Sequence, residues 1–151
     1  MRERKINLND LIPLIKEKLD EGGEVTFSPN GTSMLPTLKA GRDRLILVSP
    51  PERLKKYDVA LFLRDNGQYV LHRVIKCKEQ YTFIGDNQFF YEKNIGHDQI
   101  IALCCAYVRD GKRVSLDSFK CRLFARFWHY TRLWRRGYRA ITCRVKSLFK
   151  K

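Results

Sequence analysis

The sequence predicts a mainly β domain, a coiled and mostly antiparallel sheet of barrel-like form, flanked by a short N-terminal helix and a long basic amphipathic C-terminal helix. Three observations carry this expectation. Between residues 24 and 118 short runs of β-formers alternate apolar and polar residues with period two, separated by turn residues. No helical stretch interrupts those runs, which argues against alternating β–α units. At both ends the apolar period returns to 3.6. The expected organisation is a helix over residues 1–23, a β-rich domain over 24–118 and a helical tail over 119–151. A chain of 151 residues, 44% of them hydrophobic, can build one sizeable core and not two ordinary ones.

In chain order, "LNDLIPLIKEKLDEGG" sets Leu8, Leu11, Ile12, Ile15 and Leu19 at helical spacing, with Asn7 or Asn9 as caps and Gly22-Gly23 as the stop. Pro13 is expected in the first turn, where its missing N–H costs nothing. "EVTFSP", "DRLILVS", "DVALFLRD", "QYVLHRVIKC", "QYTFIGD" and "IIALCCAYVRDGKRVSL" then read as strands, with hairpin chemistry at Asp65-Asn66-Gly67 and Asp110-Gly111. In the tail, Leu123, Phe127, Tyr130, Trp134, Tyr138, Ile141, Val145 and Leu148 form one narrow apolar stripe. Arg132, Arg135, Arg136, Arg139 and Lys146 project from the opposite face.

The net charge of +14 is concentrated. Residues 1–118 carry 19 Lys and Arg against 16 Asp and Glu, whereas residues 119–151 carry 11 cations and no acid. An anionic partner for the tail follows from that distribution. The composition of the stripe favours an interfacial helix on an anionic membrane surface, with packing onto the β domain and nucleic-acid binding as the other readings. Cys77, Cys104, Cys105, Cys121 and Cys143 are odd in number and lack metal-ligand spacing, so they read as reduced thiols; neither a metal nor a cofactor is assigned. Charges open the chain with no apolar run behind them, and no window approaches a bilayer span, so the expected location is cytoplasmic, peripheral to the cytoplasmic membrane.

"GTSMLPTL" places Ser33 in a turn otherwise short of charge. A serine hydroxyl is a poor nucleophile until a base takes its proton. His72, in the middle of the "QYVLHRVIKC" strand and on the same face as Val70 and Val74, is the best placed of three histidines; His97 and His129 are given no catalytic role. An imidazole accepts a proton near neutral pH without special tuning, which a lysine does not. Residue by residue, a structural turn serine and a packed strand histidine remain the plainer alternatives.

Taken together, "GTSMLPTLKAGRDRLILV", "YDVALFLRDNGQYVLHRVI" and "YTFIGDNQFFYE" resemble the signal peptidase I and SOS-repressor superfamily of serine peptidases, over residues 24–106. The resemblance implies that Ser33 attacks a peptide carbonyl and that His72 is the general base, as in the Ser/His branch found in the endoplasmic reticulum, archaea and sporulating bacteria. For the assisting acid it leaves Asp86, within Gly85-Asp86-Asn87, and Glu92 six residues on, with Glu92 preferred and Asp86 read as a structural turn residue. Oxyanion and substrate contacts fall to Ser33, Thr32 and Met34. Many relatives carry a hydroxyl two residues before the nucleophile, where this chain has Gly31, and Gly41-Arg42-Asp43 is one residue longer than the usual Gly-Asp turn. The implied function is an endopeptidase cleaving leader or precursor peptides after small residues. The alternative is a catalytically silent member of the fold that binds membrane or nucleic acid through its tail.

Overall fold

The computed structural model describes residues 8–148, with side chains from 11 to 138 and from 140 to 142. Helix α1 (Leu8–Asp20) buries Ile12, Ile15 and Leu19. Pro13 is its sixth residue, past the first turn to which the sequence reading confined it. The ring lies on the exposed side, so the one backbone bond it removes faces water and the helix continues. Gly22, at φ +76°, turns the chain out, and its N–H bonds to the Leu19 carbonyl at 2.9 Å. The candidate cap Asn7 lies outside the described residues.

The sheet contains β1 (Val25–Phe27), β2 (Asp43–Val48), β3 (Val59–Leu63), β4 (Tyr69–Cys77), β5 (Tyr81–Ile84), β6 (Glu92–Ile95), β7 (Ile100–Arg109) and β8 (Lys112–Ser115). Its order is β1-β2-β7-β3-β4-β5-β6, all pairs antiparallel, with β8 added to β7. The long strand β7 is the spine: Ile100 to Cys104 pair with β3, Ala106 to Arg109 with β8, and β2 runs along the other edge. Register shifts at Ile46/Leu47, Leu61/Phe62 and Val74/Lys76 are bulges that coil the sheet. It is mainly β and antiparallel as expected, but it does not close into a barrel. β1 and β6, three and four residues long, end the strand order, and β8 lies off it against β7.

Period-two alternation gives the sheet two apolar faces. Leu45, Leu47, Val59, Leu61 and Ala102 pack with α1 and with Met34 and Leu38 of the loop before β2. Ala60, Phe62, Val74, Phe83 and Ile100 pack on the other side with Leu54 and Tyr81, Phe62 stacking on Phe83 at 4.4 Å. A buried polar hub ties the β2 and β7 ends together. Asp43 accepts from the Lys39 N–H at 2.8 Å, from Arg42 Nη2 at 2.8 Å and from Arg109 Nε at 2.7 Å. The longer Gly41-Arg42-Asp43 turn thus serves to bring Arg42 onto the Asp43 carboxylate.

The tail is two helices rather than one, α2 (Phe119–Tyr130) and α3 (Arg132–Leu148). Ser118 caps α2. At the break the Trp128 carbonyl accepts from the Arg135 guanidinium and from the Thr131 hydroxyl, which compete with the helical bond. Ala125, Trp128 and Arg132 are turned to the body of the protein, with Trp128 Nε1 bonded to the Asp86 carbonyl at 2.8 Å and Arg132 Nη1 to the Gln88 carbonyl at 3.0 Å. Packing of the apolar stripe onto the β domain is not observed, because Leu123, Phe127, Tyr130, Trp134, Tyr138 and Ile141 are 55–84% exposed. The side chains of Arg139, Cys143, Val145, Lys146 and Leu148 lie outside the described residues. Among the described residues no helix is long and apolar enough to cross a membrane, and no acid, His and Cys cluster could hold a metal.

Candidate active site

Ser33 sits in the loop between β1 and β2, half-buried, with its neighbours Met34 and Leu38 driven into the core as plugs. Leu38 N–H bonds to the Met34 carbonyl at 2.9 Å, which tightens the loop into helical-type turns. The Gly85-Asp86-Asn87 turn after β5 clamps it from the side. Asn87 N–H donates to the Ser33 carbonyl at 2.8 Å, and Asn87 Nδ2 to the Thr32 carbonyl at 3.1 Å. Gly85 is required there, because a β-carbon at that position would lie 2.7 Å from the Ser33 carbonyl oxygen. Among the described residues neither the Ser33 hydroxyl nor its N–H has a hydrogen-bond partner. Both are therefore open to an incoming group. The Thr32 side chain is exposed, and Gly31 adopts φ +81°, a conformation in which any residue carrying a β-carbon is strained. That backbone explains a glycine where a hydroxyl would otherwise help.

His72 is 1% exposed, on the Phe62 face of β4, with the two rings 6.2 Å apart. Its Nδ1 lies 2.7 Å from Glu92 Oε1, at the start of β6. The approach is too oblique for a well-formed hydrogen bond, so the contact is chiefly electrostatic. Arg64, just beyond β3, grips the same carboxylate with two bonds of 2.6 Å, Nε to Oε2 and Nη2 to Oε1. Burial alone would raise the Glu92 pKa, but the Arg64 bonds and the close approach of His72 outweigh it and bring it down to about 2. Glu92 is a fixed anion at neutral pH. With Nδ1 turned to it, Nε2 is the nitrogen left to take a proton from elsewhere.

Asp86 is placed otherwise. It is 2% exposed and held by Arg73 through Nε–Oδ1 at 2.8 Å and Nη2–Oδ2 at 2.7 Å, while Thr37 Oγ1 donates to Oδ2. Arg73 Nη1 reaches the Tyr57 carbonyl at 3.0 Å. Adjacent β4 residues thus serve opposite faces: His72 meets Glu92, and Arg73 meets Asp86. The structure brings Glu92, not Asp86, to the imidazole. No hydrogen bond joins Ser33 to His72. The Gly85–Asn87 turn that holds the Ser33 loop follows β5, which pairs with β4 at Arg73 and Ile84.

Beside Ser33 opens a cavity of about 170 Å³, walled by Phe27, Met34, Leu61, Tyr69 and Leu71. It is smaller than the roughly 300 Å³ at which small-molecule sites begin. It has room for one apolar side chain, up to about the size of a benzene ring. Met34 belongs to this wall while being largely buried in the core. His97 is bonded to the Tyr81 hydroxyl at 3.1 Å, and His129, within α2, packs edge-on to Tyr57. Sequence reasoning did not find Arg64, which orients Glu92, or Trp128 and Arg132, which hold the turn behind Ser33. A signal for Arg64 existed only in its place at the end of a strand paired to the one bearing His72. No protein-family model matches the chain, and no curated protein or solved structure is significantly similar to it.

Proposed function

We propose that the protein is a serine endopeptidase of the signal peptidase and SOS-repressor kind, in which Ser33 is the nucleophile and His72, oriented by Glu92, the general base. The observation that carries this reading is the Glu92 carboxylate 2.7 Å from His72 Nδ1, in a chain whose serine loop leaves its hydroxyl and N–H unengaged beside a small apolar cavity. In the reaction the Ser33 hydroxyl adds to the scissile carbonyl as its proton passes to His72 Nε2. The Ser33 N–H stabilises the oxyanion, the amine leaves with the proton from His72, and water reverses these steps to free the acid. Catalytic hydrogen bonds are often long before substrate is bound, so the Ser33–His72 bond is one that a seated peptide has to close. The cavity takes one apolar side chain before the cleaved bond, and the resemblance to signal peptidases favours a small one, as in precursor or leader-peptide processing.

The missing Ser33–His72 hydrogen bond is also what favours the second reading, a silent member of the fold. Digestion of a mixed peptide library separates the two. Cleavage after small residues that disappears in Ser33→Ala supports the peptidase, and identical digests from both proteins would reject it.

A further inference from the structure

We infer that α2 and α3 form a docking surface for an anionic lipid membrane, with the exposed apolar stripe as the face that enters it. The two faces of the tail are already divided. The one carrying Ala125, Trp128 and Arg132 is occupied by the body of the protein through the Asp86 and Gln88 carbonyls. On the other side Leu123, Phe127, Tyr130, Trp134, Tyr138 and Ile141 stand in water at 55–84% exposure. At 100° per residue, the α2 members centre about 160° from Ala125 and Trp128, so no rotation of the helix buries both sets at once. The stripe therefore needs a partner from outside the domain.

Charge selects the partner. Residues 119–151 contain 11 Lys and Arg and no acid; Lys120 and Arg126 are exposed alongside the stripe in α2, and Arg136 is exposed on the far side of α3. A second copy of the tail would bring like charges together. Nucleic acid would call for the cations on the contacting face, whereas in α3 they lie mainly opposite the stripe. An anionic bilayer satisfies both halves of the pattern: Trp, Tyr and Phe suit the interfacial region, and flanking Arg and Lys meet the headgroups. Because α2 also holds the Gly85–Gln88 turn that supports Ser33, binding would set that loop roughly one helix diameter, about 10 Å, from the lipid.

The test is flotation of the full chain with phosphatidylcholine vesicles, with and without about one third phosphatidylglycerol, followed also by tryptophan emission. Binding to the anionic vesicles alone is expected, with a blue shift from Trp134 and release by salt. Lys120→Ala with Arg126→Ala should weaken it about 30-fold, from roughly fivefold per cation. Phe127→Glu with Trp134→Glu should abolish it. Both pairs are exposed, so folding is retained and circular dichroism verifies it. Undiminished flotation of the Glu variant overturns the proposal, as does equal binding to neutral vesicles. So does a native dimer that this variant dissolves into monomers, or capture of a DNA duplex at physiological salt without vesicle binding. Acylation of Ser33 in the absence of lipid is read separately, so loss of one reading leaves the other standing.

Discussion

Replacing Glu92 by Gln removes a charge while keeping the shape of the side chain, and it isolates what the carboxylate does for His72. Two unit charges about 4 Å apart interact by about 4 kcal/mol at an effective dielectric of 20. Here the Glu92 side chain is 17% exposed and its charge is shared with Arg64, so roughly half of that, about 2 kcal/mol, is available to the imidazolium formed as Ser33 reacts. About 2 kcal/mol corresponds to a roughly 30-fold slower acylation. The assay is the rate of covalent labelling by a fluorophosphonate probe, followed by intact-mass spectrometry at neutral pH on protein verified as folded. Arg64→Met leaves the Glu92 charge in place, and loosened orientation is opposed by loss of the competing guanidinium, so labelling should change less than in Glu92→Gln. Labelling of Glu92→Gln within about twofold of the parent rate would refute the argument that this carboxylate supports the imidazolium.

Gly85→Ala forces a β-carbon to 2.7 Å from the Ser33 carbonyl oxygen, and the expected cost is about 1–3 kcal/mol of stability together with slower Ser33 labelling. Asp86→Asn leaves the buried Arg73 unpaired and should cost about 3–5 kcal/mol, a fall of roughly 2 M in urea midpoint at a slope near 2 kcal/mol/M; Arg73→Met with Asp86→Leu should recover part of it. Acid should unfold the protein through depressed carboxylates. The Glu92 contribution is complete above its ordinary value of 4.5 and is lost as pH falls from there through about 2. Asp43, where bonds from Arg109, Arg42 and the Lys39 N–H outweigh the opposing effect of burial, adds stability that is lost as pH falls below its ordinary 3.8. Thermal melts between pH 7 and 2 follow both, and Asp43→Asn should flatten the profile.

Local pattern carried the elements a single strand or helix specifies. The alternation in "DVALFLRD" and "QYVLHRVIKC", closed by Asp65-Asn66-Gly67, is the β3–β4 hairpin, and Asp110-Gly111 closes β7 onto β8. The insertion of β7 between β2 and β3 was not legible, since pairing of distant strands is decided by tertiary burial that no local window contains. β6 was missed because Glu92, Lys93 and Asn94 lack β-formers and only Phe83 and Tyr81 across the ladder make them a strand. The tail's periodicity was plain; its break at Thr131 depends on side-chain bonds to one carbonyl. In the site, the quoted motifs named Ser33, His72, Asp86 and Glu92. Which acid meets the imidazole was fixed by strand faces: Arg73, pointing opposite to His72, takes Asp86 and leaves Glu92 to Arg64 and His72.

The central claim, that Ser33 is a nucleophile served by His72, is tested most directly by mapping the adduct left by a fluorophosphonate probe on the full chain. A single modification on Ser33 is expected, absent in Ser33→Ala and formed at least about a hundredfold more slowly in His72→Ala. An adduct that survives Ser33→Ala, or one that forms on Ser33 at the parent rate without His72, would contradict it.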